Sequence, residues 1–445
     1  MATKKTSYKL IQRFASIDTD NIWLLFHALI IGLTVGLVGA SFRIILTYIE
    51  IFRDFVFEDA GHSGFLSWLW PVLFAAIGIS VALYLVRKFA PETAGSGIHE
   101  IEASLDEIRP MRWKRVLPVK FIASLFSLGS GLLLGREGPT VQLGANIGKM
   151  VQDVFGKTDV GDNALVSAGS AAGLASAFNA PFAGIIFVIE EMFGHFKFNF
   201  YSVSAIMIGA GSADFVVRSL ISSKPVISMM VYSSPEISEL WLFILLGLMF
   251  SVVGLVYNKL LIASMDLVKV PKNIPILVIG AMGGLIIGGV GVFYPEMIGG
   301  GYLAITQVLV ESFTLSFLLI LFIVRLLLSV FSYSTGVPGG IFAPMLSLGV
   351  ILGMVFGTVI QHFFPGLISN IGVFAIAGMA AIFASTVRAP LTGLVLAVEM
   401  TSNFELILPL IITTVTASVF TVLLGNKPIY STLLARTLGR EKPTS

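Results

Sequence analysis

The chain has 445 residues, 56% of them hydrophobic and 12% charged, whereas a soluble domain carries roughly 25% charged residues. So few charges cannot make a polar shell, which excludes a cytosolic enzyme, a secreted domain and a disordered protein. The 28 Lys and Arg against 26 Asp and Glu leave a net charge of +2, with no basic stripe away from the termini, so nucleic acid is not expected as a partner.

Residues 1–21 are polar, with Lys4, Lys5, Lys9 and Arg13. The apolar run at 22–52 is too long for a signal peptide, and no cleavage is expected. A second run covers 65–86 and ends at Arg87-Lys88. The polar stretch 91–114 closes on Arg109, Arg112, Lys114 and Arg115. The positive-inside rule places this stretch, the N-terminus and the C-terminal Arg436, Arg440 and Lys442 in the cytoplasm. Between 120 and 220 the apolar segments are short and broken by Gly, Pro and Ser, as at 139–151 and 181–189. A loop at 222–239 precedes spans at 240–263 and 274–293. Another span at 315–330 is followed by further interrupted segments. Between Arg325 and Arg388 there is no Asp, Glu, Lys or Arg, although a bilayer span needs only ~20 apolar residues. Barrel strands alternate apolar and polar positions, and these runs do not. The fold expected is an all-α polytopic membrane protein.

An internal repeat divides it. Residues 168–190 align with 377–399 at a shift of 209, with ten of 23 positions identical, including Ala180-Pro181 with Ala389-Pro390, Gly184 with Gly393, and Glu190 with Glu399. At a shift of 205, Gly135, Pro139, Leu143, Gly144 and Gly148 recur as Gly340, Pro344, Leu348, Gly349 and Gly353. Matched interrupted segments in two halves mark a transporter with its site near the midplane. The division expected is a cytoplasmic segment 1–21, a first inverted repeat 22–222, a second 236–425, and a C-terminal cytoplasmic helix and tail 426–445.

Short helices are expected to start at Pro139, Pro181, Pro344 and Pro390, since proline suits the first helical positions. A fifth start is Gly95-Ser96-Gly97. Converging helix N-termini bind an anion through free N–H groups, without the tight grip of a buried lysine. The alternative is that the breaks only ease helix packing. Glu137 lies in such a break. Ionised, it competes with an anion; protonated, it vacates the site. A salt bridge to Arg136 or a structural anchor is the plainer alternative. Glu190-Glu191 ends an apolar helix. Glu190 repeats as Glu399, so capping or interface work falls to Glu190. Glu191 has Met400 as its counterpart, and the residue that breaks the symmetry suits a directional task.

With these motifs assembled, the sequence resembles the CLC family of chloride channels and chloride/proton exchangers. Gly95-Ser96-Gly97-Ile98, Gly135-Arg136-Glu137-Gly138-Pro139, Gly340-Ile341-Phe342-Ala343-Pro344 and Lys427-Pro428-Ile429-Tyr430 carry the resemblance. It covers about 22–440 and is strongest to the short bacterial exchangers. It implies two inverted-topology repeats of about 18 helices, a homodimer with one pathway per subunit, and a place in the bacterial inner membrane. Only 15 residues follow Tyr430, so no cytosolic nucleotide-binding domain is expected.

The resemblance also implies roles. The Ser96 and Tyr430 hydroxyls and the backbone N–H groups of Ile341 and Phe342 would bind the central chloride. The backbone at Arg136 and Gly138 would serve an outer site, which Glu137 enters when charged. Glu191 would be the internal proton-transfer residue, Glu102 and Lys120 a buried ion pair, and Ile189 and Ile407 part of the dimer interface. His99 departs from the family's usual proline, which puts the geometry of that helix start in question. Glu137, Ser96 and Tyr430 argue against the fluoride branch.

The function expected is chloride/proton antiport, with chloride as substrate and no cofactor or metal. A passive chloride channel is the nearest rival, and Glu191 argues against it. No Gly-x-Ser-x-Gly motif or His-x-x-x-His pair supports an intramembrane enzyme. A sodium-coupled carrier usually gathers carboxylates or unwound carbonyls around a cation.

Overall fold

The computed structural model describes residues 19–62, 66–156, 163–227, 229–267, 275–367 and 370–439. Lys4, Lys5, Lys9, Arg13, Arg440 and Lys442 lie outside them. Among the described residues there are seventeen α-helices and no strands. The first half holds α1 (Thr19–His62), α2 (Leu69–Phe89), α3 (Ile98–Leu105), α4 (Trp113–Gly129), α5 (Glu137–Phe155), α6 (Ala164–Phe178), α7 (Pro181–Glu191) and α8 (Phe200–Leu220). The second holds α9 (Trp241–Leu267), α10 (Ile276–Phe293), α11 (Tyr302–Val310), α12 (Leu315–Ser334), α13 (Phe342–Phe363), α14 (Gly372–Thr386), α15 (Pro390–Thr401) and α16 (Ile407–Leu423). α17 (Ile429–Thr437) follows both. Among the described residues, eight helices are long and apolar enough to cross a membrane.

The halves match helix for helix, and the matched glycines perform matched tasks. On α5 and α6, a Cβ built on Gly144 would lie 2.0 Å from Gly169 O, and one on Gly169 would lie 2.1 Å from Gly144 O. On α13 and α14, Gly349 and Gly378 meet in the same reciprocal way, at 2.5 and 2.3 Å. The backbones touch because neither residue has a side chain, the close approach that small residues permit between membrane helices.

The inversion shows where the halves cross. Gly135 N–H donates to Gly340 O and Gly340 N–H to Gly135 O, both at 2.7 Å. These residues are repeat partners, so the pairing is a residue meeting its own counterpart. Gly95 N–H donates to Val337 O, and Gly299 N–H to Gly131 O. Each half's broken loop is thus completed by the other half.

Two expectations need correction. α5 starts at Glu137 and α13 at Phe342, two residues before Pro139 and Pro344. The first four N–H groups of any helix lack an internal partner, so proline fits at the third position as readily as at the first. α7 and α15 do begin on their prolines. In addition, α5 and α13 are no short fragments: they have 19 and 22 residues and are mostly buried.

Gly144→Ala should force α5 and α6 apart and destabilise the protein by about 1–3 kcal/mol. Gly289→Ala, with nothing within 4 Å of its added Cβ, should be neutral or stabilising by up to about 1 kcal/mol. Thermal unfolding midpoints in detergent check the contrast.

Candidate functional site

Four helix starts converge where the halves cross: α3 and α5 from one, α11 and α13 from the other. α3 and α11 each follow a glycine in the left-handed region, Gly97 at φ +84° and Gly301 at φ +114°. α17 adds a fifth start, with Pro428 before it and Tyr430 in its first turn.

Breaking a helix at this depth strands carbonyls, and a buried cation in each half collects them. Lys120 Nζ, on α4, donates to Thr93 O, Gly95 O and Ser96 O at 3.0, 2.8 and 3.2 Å. Three acceptors need three N–H groups, so the side chain serves as the ammonium. Arg325, on α12, donates to Glu296 O, Ile298 O and Gly299 O at 2.9, 3.3 and 3.2 Å. Lys120 and Arg325 are 205 positions apart, the shift that relates the repeats. The expected Glu102–Lys120 ion pair is not formed. Glu102 is buried with Oε1 unpartnered, and carbonyls take all three lysine donors.

Ser96 Oγ and Tyr430 Oη are fully buried. The two hydroxyls approach each other but miss hydrogen-bond geometry, so both are unpartnered. Buried polar atoms are nearly always paired, and a cluster of two beside helix N-termini points to a ligand. Phe342 lies against Tyr430, with ring centroids 5.8 Å apart. Gly138 closes the other side, where a Cβ would fall 2.6 Å from Ser96 Oγ. Ile341 and Phe342 open α13 beside this cluster.

Glu137 is fully buried at the start of α5. Its Oε2 accepts from Ala343 N–H at 3.4 Å and its Oε1 from Tyr302 Oη at 2.5 Å. The guanidinium of Arg136 stacks 4.5 Å from the centroid of the Tyr302 ring. A Cβ on Gly135 would sit 2.0 Å from Glu137 Oε2, so glycine there makes room for the carboxylate. Ala343 and Tyr302 were not expected from sequence. A signal for Tyr302 existed: Gly299-Gly300-Gly301-Tyr302 follows Gly95-Ser96-Gly97-Ile98 at a shift of 204.

Two separate clefts reach this region. One, of about 390 Å³, is lined by Arg43, Glu50, Arg136 and Tyr302. The other, of about 400 Å³, is lined by Gly95, His99, Glu100, Arg109 and Tyr333. His99 leaves the start of α3 intact. Its Nε2 lies 3.9 Å from Glu100 Oε1, and Glu100 is held by Arg109 at 2.9 Å.

The paired glutamates at the end of α7 part company. Glu190 accepts from Leu391 N–H and Thr392 N–H at 3.1 and 2.8 Å and from Thr392 Oγ1 at 2.7 Å, capping α15. Glu399 returns the bond to Phe182 N–H and Ala183 N–H at 3.2 and 2.7 Å, capping α7. Glu191 stays out of that exchange. It is half-buried. One turn before it, Phe187 packs on Phe342 with ring centroids 5.6 Å apart.

The voltage gated chloride channel family model matches residues 78–422. The chain belongs to the CLC family. It is 43% identical to the H(+)/Cl(-) exchange transporter ClcA of Salmonella arizonae, over 97% of this chain and 92% of that protein. It is 45% identical to the transporter of the same name from Vibrio vulnificus, over 97% and 93%. Among solved structures it resembles a slow cyanobacterial Cl-/H+ antiporter with a TM-score of 0.89 and 36% identity, over 94% of this chain and 98% of that one. A CLC-type fluoride/proton antiporter shares the fold at a TM-score of 0.77 and 22% identity, over 92% and 97%.

The reciprocal caps predict matched losses. Glu190→Ala and Glu399→Ala should each strand two N–H groups and destabilise by about 1–3 kcal/mol. Glu191→Ala should leave the unfolding midpoint in detergent near that of the unaltered protein.

Proposed function

We propose that this CLC protein exchanges chloride for protons, as a multi-pass protein of the bacterial inner membrane with both termini cytoplasmic. The carrying observation is Glu137: a carboxylate held by the first-turn N–H of Ala343 occupies a seat that suits a small anion. In this reading Ser96 and Tyr430 donate their hydroxyls to a central chloride, with the N–H groups of Ile341 and Phe342. The backbone at Arg136 and Gly138 completes the outer position. Glu137 closes that position when ionised, then takes a proton and leaves, so one group serves as gate and proton carrier. Glu191, relieved of capping by Glu190, hands protons to and from the cytoplasmic side. Water bridges the aromatic stretch around Phe187 and Phe342 transiently. The ClcA relatives, named as H(+)/Cl(-) exchangers, support the same reading.

We further infer repeats at 22–222 and 236–425, and a homodimer. α7, α8, α15 and α16 present an apolar face on which Ile407, Leu408 and Ile411 are exposed and Ile189 is half-buried, a face suited to pairing with a second copy.

Flux in liposomes, with chloride and pH followed together, tests the function. Coupled exchange is expected; chloride flux without proton movement would mean a passive channel. In Glu137→Gln, chloride should still cross, while proton pumping and most pH dependence disappear. Chloride-driven proton uptake persisting there would reject the gate. Glu191→Gln should also abolish proton movement, yet its chloride flux should still respond to external pH, because Glu137 still titrates. Normal coupling in Glu191→Gln with loss in Glu190→Gln would reverse the assignment.

A further inference from the structure

We propose that Tyr302 is a latch on the gate: its hydroxyl holds the Glu137 carboxylate in the anion seat, and that hydrogen bond sets the turnover rate. The inference rests on reading Glu137 as the gate.

The latch is rigid where the gate is mobile. Tyr302 is the first residue of α11, directly after Gly301 at φ +114°. A Cβ on Gly301 would meet Ser347 Cβ at 2.8 Å and Arg325 Nη2 at 2.9 Å, so the helix start is wedged against buried side chains. Arg325 ties down the loop before it through Glu296, Ile298 and Gly299. The ring is braced by the Arg136 guanidinium. A fixed hydroxyl therefore meets a side chain that must leave. In the first repeat the corresponding residue is Ile98, which has no hydroxyl, so the device exists at one end of the pathway only.

The chemistry gives it a direction. A hydroxyl bonds an ionised carboxylate more strongly than a neutral acid. The latch is strongest on the charged, closed gate and weakens when a proton arrives. The groups facing Glu137 are Arg136 beside it and Tyr302 above it, with Arg43 and Glu50 in the cleft beyond. Losing a hydrogen bond to an ionised group shifts the latched–released balance by at least about tenfold.

The experiment is Tyr302→Phe in liposomes, alone and combined with Glu137→Gln. Tyr302→Phe keeps the ring and its stacking on Arg136 and loses only the hydroxyl. It should raise coupled chloride flux several-fold at neutral pH and move the midpoint of acid activation to higher pH. In the Glu137→Gln background the same change should add nothing. Tyr302→Leu, which takes the aliphatic chemistry of Ile98, repeats the test if Tyr302→Phe does not fold. Unchanged or slower flux with an unmoved midpoint, while Glu137→Gln is uncoupled, overturns the latch and leaves the gate standing. Coupled, pH-dependent exchange in Glu137→Gln removes the gate and the latch together.

Discussion

Everything at the centre of this fold depends on paying for broken backbone at membrane depth. A carbonyl in hydrocarbon has no water to turn to, and the loops before α3 and α11 expose several. Lys120 and Arg325 each meet three of them. The result is a pair of buried cations satisfied by dipoles rather than by carboxylates. All three donors of Lys120 and four of the five of Arg325 are committed here, one of them to Ser347. In the exchange proposed above, short-range anion binding is left to helix N–H groups and two hydroxyls, whose individual hydrogen bonds are weak enough to break in transit.

That arrangement also shows which parts were legible in the sequence. The apolar runs, the repeat shifts of 205 and 209 and the Gly-Pro breaks gave the helical class and the matched halves, because hydrophobic length and the placement of glycine and proline are local properties. The site residues of the four motifs converge for the same reason. The partner of Lys120 was not legible. A backbone carbonyl has no residue signature, so a buried lysine near a buried glutamate invites an ion pair that the fold does not make. The starts of α5 and α13 were misplaced by two residues because proline marks the first turn and not its first position. The repeat marks Tyr302 as the counterpart of Ile98, but its tie to Glu137 spans 165 positions and has no sequence signature.

The glutamate caps carry the same logic from backbone to side chains. Glu190 and Glu399 each close the helix start of the other half, so each half supplies what the other lacks. A carboxylate that accepts from two free helix N–H groups completes the start of that helix. Glu191 takes no part in this exchange of caps. Glu190 and Glu399 are thus committed to the caps, and in the proposed exchange the asymmetric neighbour Glu191 is the one left to carry a proton.

An inverted repeat places the same backbone at both ends of a pathway, so direction must come from side chains. The differences fall at the site itself. Glu137 corresponds to Phe342, Tyr302 to Ile98, and Ser96 to Gly300. One end gains a carboxylate and the hydroxyl that holds it. The other gains a serine hydroxyl and the ring of Phe342 against Tyr430, with Tyr430 coming from α17, outside both repeats. The scaffold supplies two equivalent sets of helix starts. The substitutions then make one of them a seat that a carboxylate can occupy and the other a seat with two free hydroxyl donors. In the proposed exchange an anion passes only when the carboxylate has left, so the order of events is built into which residue stands at each symmetric position.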